Sequence, residues 1–116
     1  MIQYIVFPII LLSIPLNFQN QDLHGKDLQS ANLIKANLEG ANLTHVDAKH
    51  ANFTEANLNK ADLSYGNFQY ALFEKASLVD VIAKDADFRC SEGLSAETRH
   101  NLEQQGARFD CTTLVE

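Results

Sequence analysis

The chain has 116 residues, 46% of them hydrophobic and 21% charged, with a formal net charge of −6, two cysteines and no tryptophan. A chain this short has room for one small domain, and an ordinary globular core of that size is marginal. The acidic balance leaves no basic stripe for nucleic acid to follow, so nucleic acid is not expected as a partner.

The first element is an apolar leader. Residues 1–18, MIQYIVFPIILLSIPLNF, are apolar apart from Gln3, Ser13 and Asn17 and carry no charged side chain. Such a stretch reads as an export signal or a membrane anchor. As a cleavable signal it departs from type, since no Lys or Arg precedes Lys26 and no small-x-small site follows the apolar run. As a membrane span it is short, about 17 residues being the lower limit, and Pro8 and Pro15 interrupt it. A third reading is a hydrophobic cap folded onto the next segment, because Leu16-Asn17-Phe18 already has that segment's pattern. The expected division is 1–15 as signal peptide or membrane anchor, 16–90 as a repeat segment and 91–116 as a C-terminal cap. Membrane contact would run through residues 1–18 alone.

From Gln21 the sequence divides into fives: QDLHG KDLQS ANLIK ANLEG ANLTH VDAKH ANFTE ANLNK ADLSY GNFQY ALFEK ASLVD VIAKD ADFRC, fourteen units without a break. The third position holds Leu or Phe in twelve of the fourteen, the first holds Ala in nine, and the second holds Asp or Asn in eleven. An internal period of this kind decides the fold before any local reading does. In an α-helix, at about 100° per residue, five steps would carry the large residue roughly 140° around the axis each time, so the Leu positions would spiral over the rod. Recurrent Asn and Asp also disfavour helix, because their side chains compete for backbone hydrogen bonds and favour turns. An extended segment fits: the first and third residues point to one side and the second away. For the large residue to face inward in every unit, the backbone must turn a corner once per unit and wind around a common axis.

These A(D/N)LXX units from Gln21 to Cys90 resemble the pentapeptide-repeat family. The resemblance implies an all-β fold, a right-handed quadrilateral parallel β-helix with four units per coil, in which the first and third positions point inward. A coil of 20 residues places Phe53 under Phe73 and Phe68 under Phe88, two stacked pairs. The two exceptions at the third position, Ala48 and Ala83, follow Val46 and Val81 at the first, which partly conserves volume. Open ends of such a stack invite edge-to-edge association unless covered. The tail is expected to cover one of them with a short α-helix, for which Ser95 supplies an N-cap, Glu97 lies in the first turn and Gly106 is placed to end it. Leu94 and Leu102, eight apart, would share the face laid on the last coil.

No catalytic signature is found: there is no phosphate-cradling glycine loop, no His-Glu-x-x-His run and no CxxC. No catalytic residue, cofactor or metal is therefore expected. His24 and His45 fall on one side in adjacent coils, but two ligands without a third at fixed geometry make a poor metal site. Asp22, Asp27, Asp47, Asp62 and Asp87 occupy a position that Asn fills in six other units, so their role is a turn hydrogen bond and not proton transfer.

The outer columns carry more information. Two residues after the centre, His45 lies under Tyr65 and His50 under Tyr70, four rings expected around one corner. That is a candidate interaction patch for a protein partner, or plain packing of stacked neighbours. Lys35, Glu55 and Lys75 alternate in sign on another side and read as a solvated salt-bridge ladder. Leu72, Val79 and Ile82 break the polar outer pattern and are expected to lie under the C-terminal helix, the alternative being contact residues. Cys90 and Cys111 close two near-copies, ADFRC and ARFDC, 21 residues apart. If the second copy sits one layer above the first, the two are placed for a disulfide, which needs an oxidising compartment.

The expected function is a non-catalytic protein-interaction or scaffold module. The resemblance extends to exported family members of the periplasm or thylakoid lumen, which suggests that compartment. The alternative comes from family members that imitate DNA and inhibit type II topoisomerases. Charge opposes it. Residues 21–90 hold ten Asp or Glu and seven Lys or Arg, a net of −3, against about 12 charges on a comparable 20 Å of duplex.

Overall fold

The computed structural model describes residues 15–112. The backbone winds as a four-sided column in which each unit of five makes one side. Thirteen parallel bridges tie the coils together, twelve between residues 20 apart, from Asn17↔Asn37 to Leu72↔Glu92, and one, Asp87↔Arg108, between residues 21 apart. Side 1 carries units 16–20, 36–40, 56–60 and 76–80. Side 2 carries 21–25, 41–45, 61–65 and 81–85. Side 3 carries 26–30, 46–50, 66–70, 86–90 and, after an excursion, 107–111. Side 4 carries 31–35, 51–55, 71–75 and 91–95.

The five-residue period follows from the hydrogen bonds each unit must satisfy. The third N–H donates to the second C=O of the next coil (Phe18 to Asn37, 2.7 Å), and the fifth donates to the fourth C=O there (Asn20 to Glu39, 2.8 Å). The second N–H donates back to the first C=O of the preceding coil (Asn37 to Leu16, 2.8 Å), and the first closes the corner onto the preceding third C=O (Gln21 to Phe18, 3.0 Å). That leaves the fourth N–H without a backbone acceptor, and an orphaned donor is costly wherever water is excluded. The Asn or Asp two residues earlier supplies it: Oδ1 of Asn17, Asp22, Asn42 and Asp62, among others, accepts from the N–H two residues on at 3.0–3.1 Å. Asn and Asp are interchangeable here because both present the same acceptor oxygen.

Each corner is a β-turn whose third residue has positive φ, from Asn20 through Cys90, with values of 53° to 69°. Thirteen of these corner residues are not glycine, and the left-handed conformation costs an L-residue roughly 1–2 kcal/mol. The column tolerates that cost because inward burial is large. The third positions Leu28, Leu33, Leu38, Leu43, Leu58 and Leu63 are all buried, as are Phe53, Phe68, Phe73 and Phe88. Each such residue contributes about 1.5–3 kcal/mol.

The phenylalanines stack in two columns, Phe53 on Phe73 at 5.1 Å between ring centroids and Phe68 on Phe88 at 5.1 Å, and Phe109 extends the second at 5.2 Å. Volumes trade between layers on side 3: Val46 with Ala48 lies below Gly66 with Phe68. A Cβ on Gly66 would come within 2.6 Å of the Phe68 ring, so glycine makes room for the larger centre.

Helix α1, Ala96–Glu103, leaves side 4 and crosses the end of the column. Ser95 caps it by accepting from Thr98 N–H at 3.1 Å, and Glu97 sits in the first turn. At the exit Gly106, φ +98°, donates to Glu103 C=O and Ala107 donates to Leu102 C=O, the paired bonds of a Schellman motif. Leu102 is buried on the column. Leu94 packs against the core too, but from the connection before α1, so the two do not share a helix face as the spacing of eight suggested.

The expected apolar leader spans residues 1–18, with 1–15 as signal peptide or membrane anchor; its residues 1–14 lie outside the described residues, whereas Leu16, Asn17 and Phe18 belong to the first unit of side 1. Among the described residues, no helix is long and apolar enough to cross a membrane.

Candidate interaction surface

Since the first and third positions are spent on the core and the second on the turn, the fourth and fifth positions of each unit are what the column offers to a partner. The fifth positions form vertical lines at the corners. His45 stacks beneath Tyr65, 5.0 Å between centroids at 17°, and His50 beneath Tyr70, 4.9 Å at 15°. His24 meets His45 edge-on at 5.2 Å and hydrogen-bonds Thr44 Oγ1 at 2.7 Å. Lys49 Nζ lies 6.0 Å from the Tyr70 ring centre.

No ring contact joins His45–Tyr65 to His50–Tyr70. The four rings expected around one corner are two separate stacks on consecutive corners, because successive fifth positions are separated by a whole side of the square. Tyr65 is 46% exposed, so the His45–Tyr65 stack presents ring surface to solvent.

Two other surface expectations are corrected. Lys35, Glu55 and Lys75 form no ion pair: among the described residues the pairs are Arg89–Asp87 at 2.8 Å and Arg99–Glu103 at 3.2 Å. Corner side chains on positive-φ residues project into water, where holding two long side chains together gains little. Leu72, Val79 and Ile82 are not beneath α1, being 38%, 58% and 52% exposed. Eight residues of helix span only about 12 Å, and α1 lies across the column's end, not down its outer sides.

The second position offers no acceptor to the fourth N–H at Leu72, Ser77 and Ile82, and for the last two the layer below compensates. Val79 N–H donates to Asn59 Oδ1 at 2.8 Å, and Lys84 N–H to Ser64 Oγ at 3.2 Å. Ser64 is accordingly a buried polar side chain, 6% exposed, with its hydroxyl occupied. Asp87 keeps its turn bond to Arg89 N–H and also takes the Arg89 guanidinium on both oxygens, Nε to Oδ1 at 3.0 Å and Nη2 to Oδ2 at 2.8 Å. Burial opposes ionisation of Asp87, but the hydrogen bonds and charge of Arg89, with the charge of Arg108, outweigh it and hold the carboxyl below its ordinary value.

Gln105, which sequence reading passed over, does what a peptide group does elsewhere in the column. Its side-chain Oε1 accepts from Ala83 N–H at 2.8 Å and its Nε2 donates to Val81 C=O at 3.2 Å. Its backbone carbonyl accepts from Asp85 N–H at 3.3 Å. One residue thereby satisfies the groups on side 2 that a further coil would have met. Beyond it Arg108 rejoins side 3, its N–H to Ala86 C=O at 2.9 Å and its C=O to Phe88 N–H at 2.8 Å. Cys90 and Cys111 are joined by a disulfide with Cα atoms 4.9 Å apart. Among the described residues, no group of three His, Cys, Asp or Glu side chains is placed to hold a metal ion.

The profile of pentapeptide repeats matches the sequence over residues 17–47, 36–69 and 56–90, eight copies in all. The chain belongs to the pentapeptide-repeat family. Similar solved structures include a pentapeptide repeat protein of the Arabidopsis thaliana thylakoid lumen, 24% identical, covering 80% of this chain and 61% of its own, with a TM-score of 0.39. Another, from Nostoc, is 19% identical and covers 87% of this chain and 90% of its own, TM-score 0.41. QnrB1, a plasmid-mediated fluoroquinolone resistance protein, is 17% identical over 81% of this chain and 58% of its own, TM-score 0.47. This chain thus spans about three fifths of the Arabidopsis and QnrB1 structures it matches. No curated protein sequence matches it.

Proposed function

We propose that this pentapeptide-repeat protein is a non-catalytic interaction or scaffold module working in an exported compartment, a periplasm or a thylakoid lumen, with another protein as its partner. The observation that carries the reading is the outer surface itself: rings at His45–Tyr65 and His50–Tyr70, with Leu72, Val79 and Ile82 exposed among otherwise polar positions. Aromatic and aliphatic side chains held outward on a rigid frame are the raw material of recognition patches. Residues 91–116 serve as the C-terminal cap, α1 and Gln105 closing the column and Cys90–Cys111 pinning the final unit to it. The disulfide and the uncharged leader support the exported compartment, since such bonds persist where thiols are not kept reduced.

The test is capture from the native extract by the wild-type protein and by Tyr65→Ser/Tyr70→Ser, whose positions lie outside the core. Loss of a captured protein with the fold intact supports the patch, and unchanged capture returns the rings to ordinary packing. For the compartment, intact mass after alkylation without reduction should show no alkyl group on the natively purified protein; two groups would contradict both disulfide and export.

A further inference from the structure

The far end of the column is closed unevenly. On side 2 Gln105 takes the place of a next layer, and on side 3 residues 107–111 are that layer. On side 1 the last unit, Ala76–Asp80, has its lower bonds made: Ser77 N–H to Ala56 C=O at 2.9 Å, and the carbonyls of Ser77 and Val79 to the N–H groups of Leu58 and Lys60 at 2.8 and 2.9 Å. Its upper bonds are not. Leu78 N–H, Asp80 N–H and Ala76 C=O, the three groups that every earlier unit of this side gives to the next coil, have no partner among the described residues. Among the described residues, the Val81 N–H that should close the corner onto Leu78 C=O makes no bond either.

Helix α1 stands off from this edge and leaves a cavity of about 280 Å³ lined by Leu78, Asp80, Val81, Thr98, Asn101, Leu102 and Gln105. Among the described residues, the upper groups of unit 91–95 also lack partners, but the cavity lies at the Ala76–Asp80 edge.

We infer that the Ala76–Asp80 edge and the cavity beneath α1 are a docking site for a short extended peptide that adds one more layer to side 1. Backbone pairing at an open sheet edge is a recurrent mode of peptide recognition, in which the backbone gives affinity and pockets for alternate side chains give specificity. The column's own pattern prescribes the ligand. A residue in the second position would present its C=O to Leu78 N–H and its N–H to Ala76 C=O, and a fourth-position C=O would reach Asp80 N–H. The third side chain would rest on Leu78 beside Leu102, favouring Leu, and the cavity, near the small end of ligand pockets, has room for a short segment only. The fifth side chain would stand over the exposed Asp80 carboxylate, favouring Lys or Arg. The ligand is thus an extended small–Asx–Leu–x–Lys segment. This deepens the interaction reading, but it names a site away from the ring stacks, so each can fail alone.

The test is an NMR titration of the ¹⁵N-labelled full-length protein with the synthetic peptide acetyl-Ala-Asn-Leu-Asn-Lys-amide. The inference expects saturable shifts centred on the Leu78, Asp80 and Val81 amides, and at least tenfold weaker binding of the same peptide with Glu in place of Lys. Asn101→Trp, which fills the cavity from an exposed helix position, should lose binding at least tenfold while the remaining amide spectrum is unchanged. Three results would overturn it: no shift at millimolar peptide, shifts centred elsewhere, or equal binding of the Lys and Glu peptides. None of the three needs a variant, so a folding failure of Asn101→Trp leaves the proposal testable.

Discussion

The middle coils, residues 36–70, and the closing stretch, residues 71–112, solve one problem by different means. In the middle, every fourth-position N–H is met from within its own unit, as by Asn42, Asn57 and Asn67. In the closing stretch the second position becomes Leu72, Ser77 and Ile82: Asn59 and Ser64 from the layer below replace the acceptor for Val79 and Lys84, Glu74 N–H has none among the described residues, and Gln105 supplies Ala83 N–H with the acceptor a further layer would have given. The same N–H groups can therefore be met by different acceptors, and no particular residue is required. The repeat is one economical answer, and the ends use others because a layer is missing there.

The two regions should still share one inside and one outside, and Phe68→Ala strikes at that hardest. Phe68 is fully buried between Ala48 and Phe88 on side 3 and touches Phe53 and Phe73 across the axis. Its loss should destabilise by about 3–5 kcal/mol, while Gln69→Ala should cost under about 0.5 kcal/mol. Denaturant melts that gave similar losses would erase the distinction between inward and outward positions.

Next in size is Gln105→Ala, which leaves Ala83 N–H and Val81 C=O unpaired at buried residues. At about 1–3 kcal/mol per unsatisfied buried group, partly relieved by entering water, the loss should be roughly 2–3 kcal/mol. Asn57→Ala, which removes one turn bond in the middle, should cost only about 1 kcal/mol. Equal costs would mean that the end is not specially dependent on its single peptide mimic. The smallest effect has the opposite sign. Lys60→Gly relieves a positive φ of 64° at an exposed corner and should stabilise by about 0.5–1 kcal/mol, the left-handed penalty less the entropy of glycine. A loss in thermal melts would show that the Lys60 side chain stabilises the corner by more than its strain.

The coil was legible because 20-residue spacing is redundant: the Phe53–Phe73 and Phe68–Phe88 pairs and the Asx column all carry it. Ser95 and Gly106 were legible as helix punctuation for the same local reasons that make them work. Gln105 was not. Its role depends on the path of α1 back over side 2, and nothing in its neighbourhood repeats. The ring columns were legible as vertical neighbours, but the period says nothing of the distance between corners, so two stacks looked like one patch. Leu72, Val79 and Ile82 were misjudged since apolarity at an outward position does not say what covers it, and α1 turned out to cross the end.

The 20-residue coil itself can be measured directly by paired cysteines at exposed corners of side 4. Adjacent layers place Cα atoms about 4.8 Å apart, within the roughly 4.4–6.8 Å of a disulfide. On mild oxidation, with bonds mapped by mass spectrometry, Lys35→Cys/Glu55→Cys should form an intramolecular disulfide in high yield, while Lys35→Cys/His50→Cys, 15 residues apart on different corners, should not. A bond in the second pair, or none in the first, would contradict the four-sided coil.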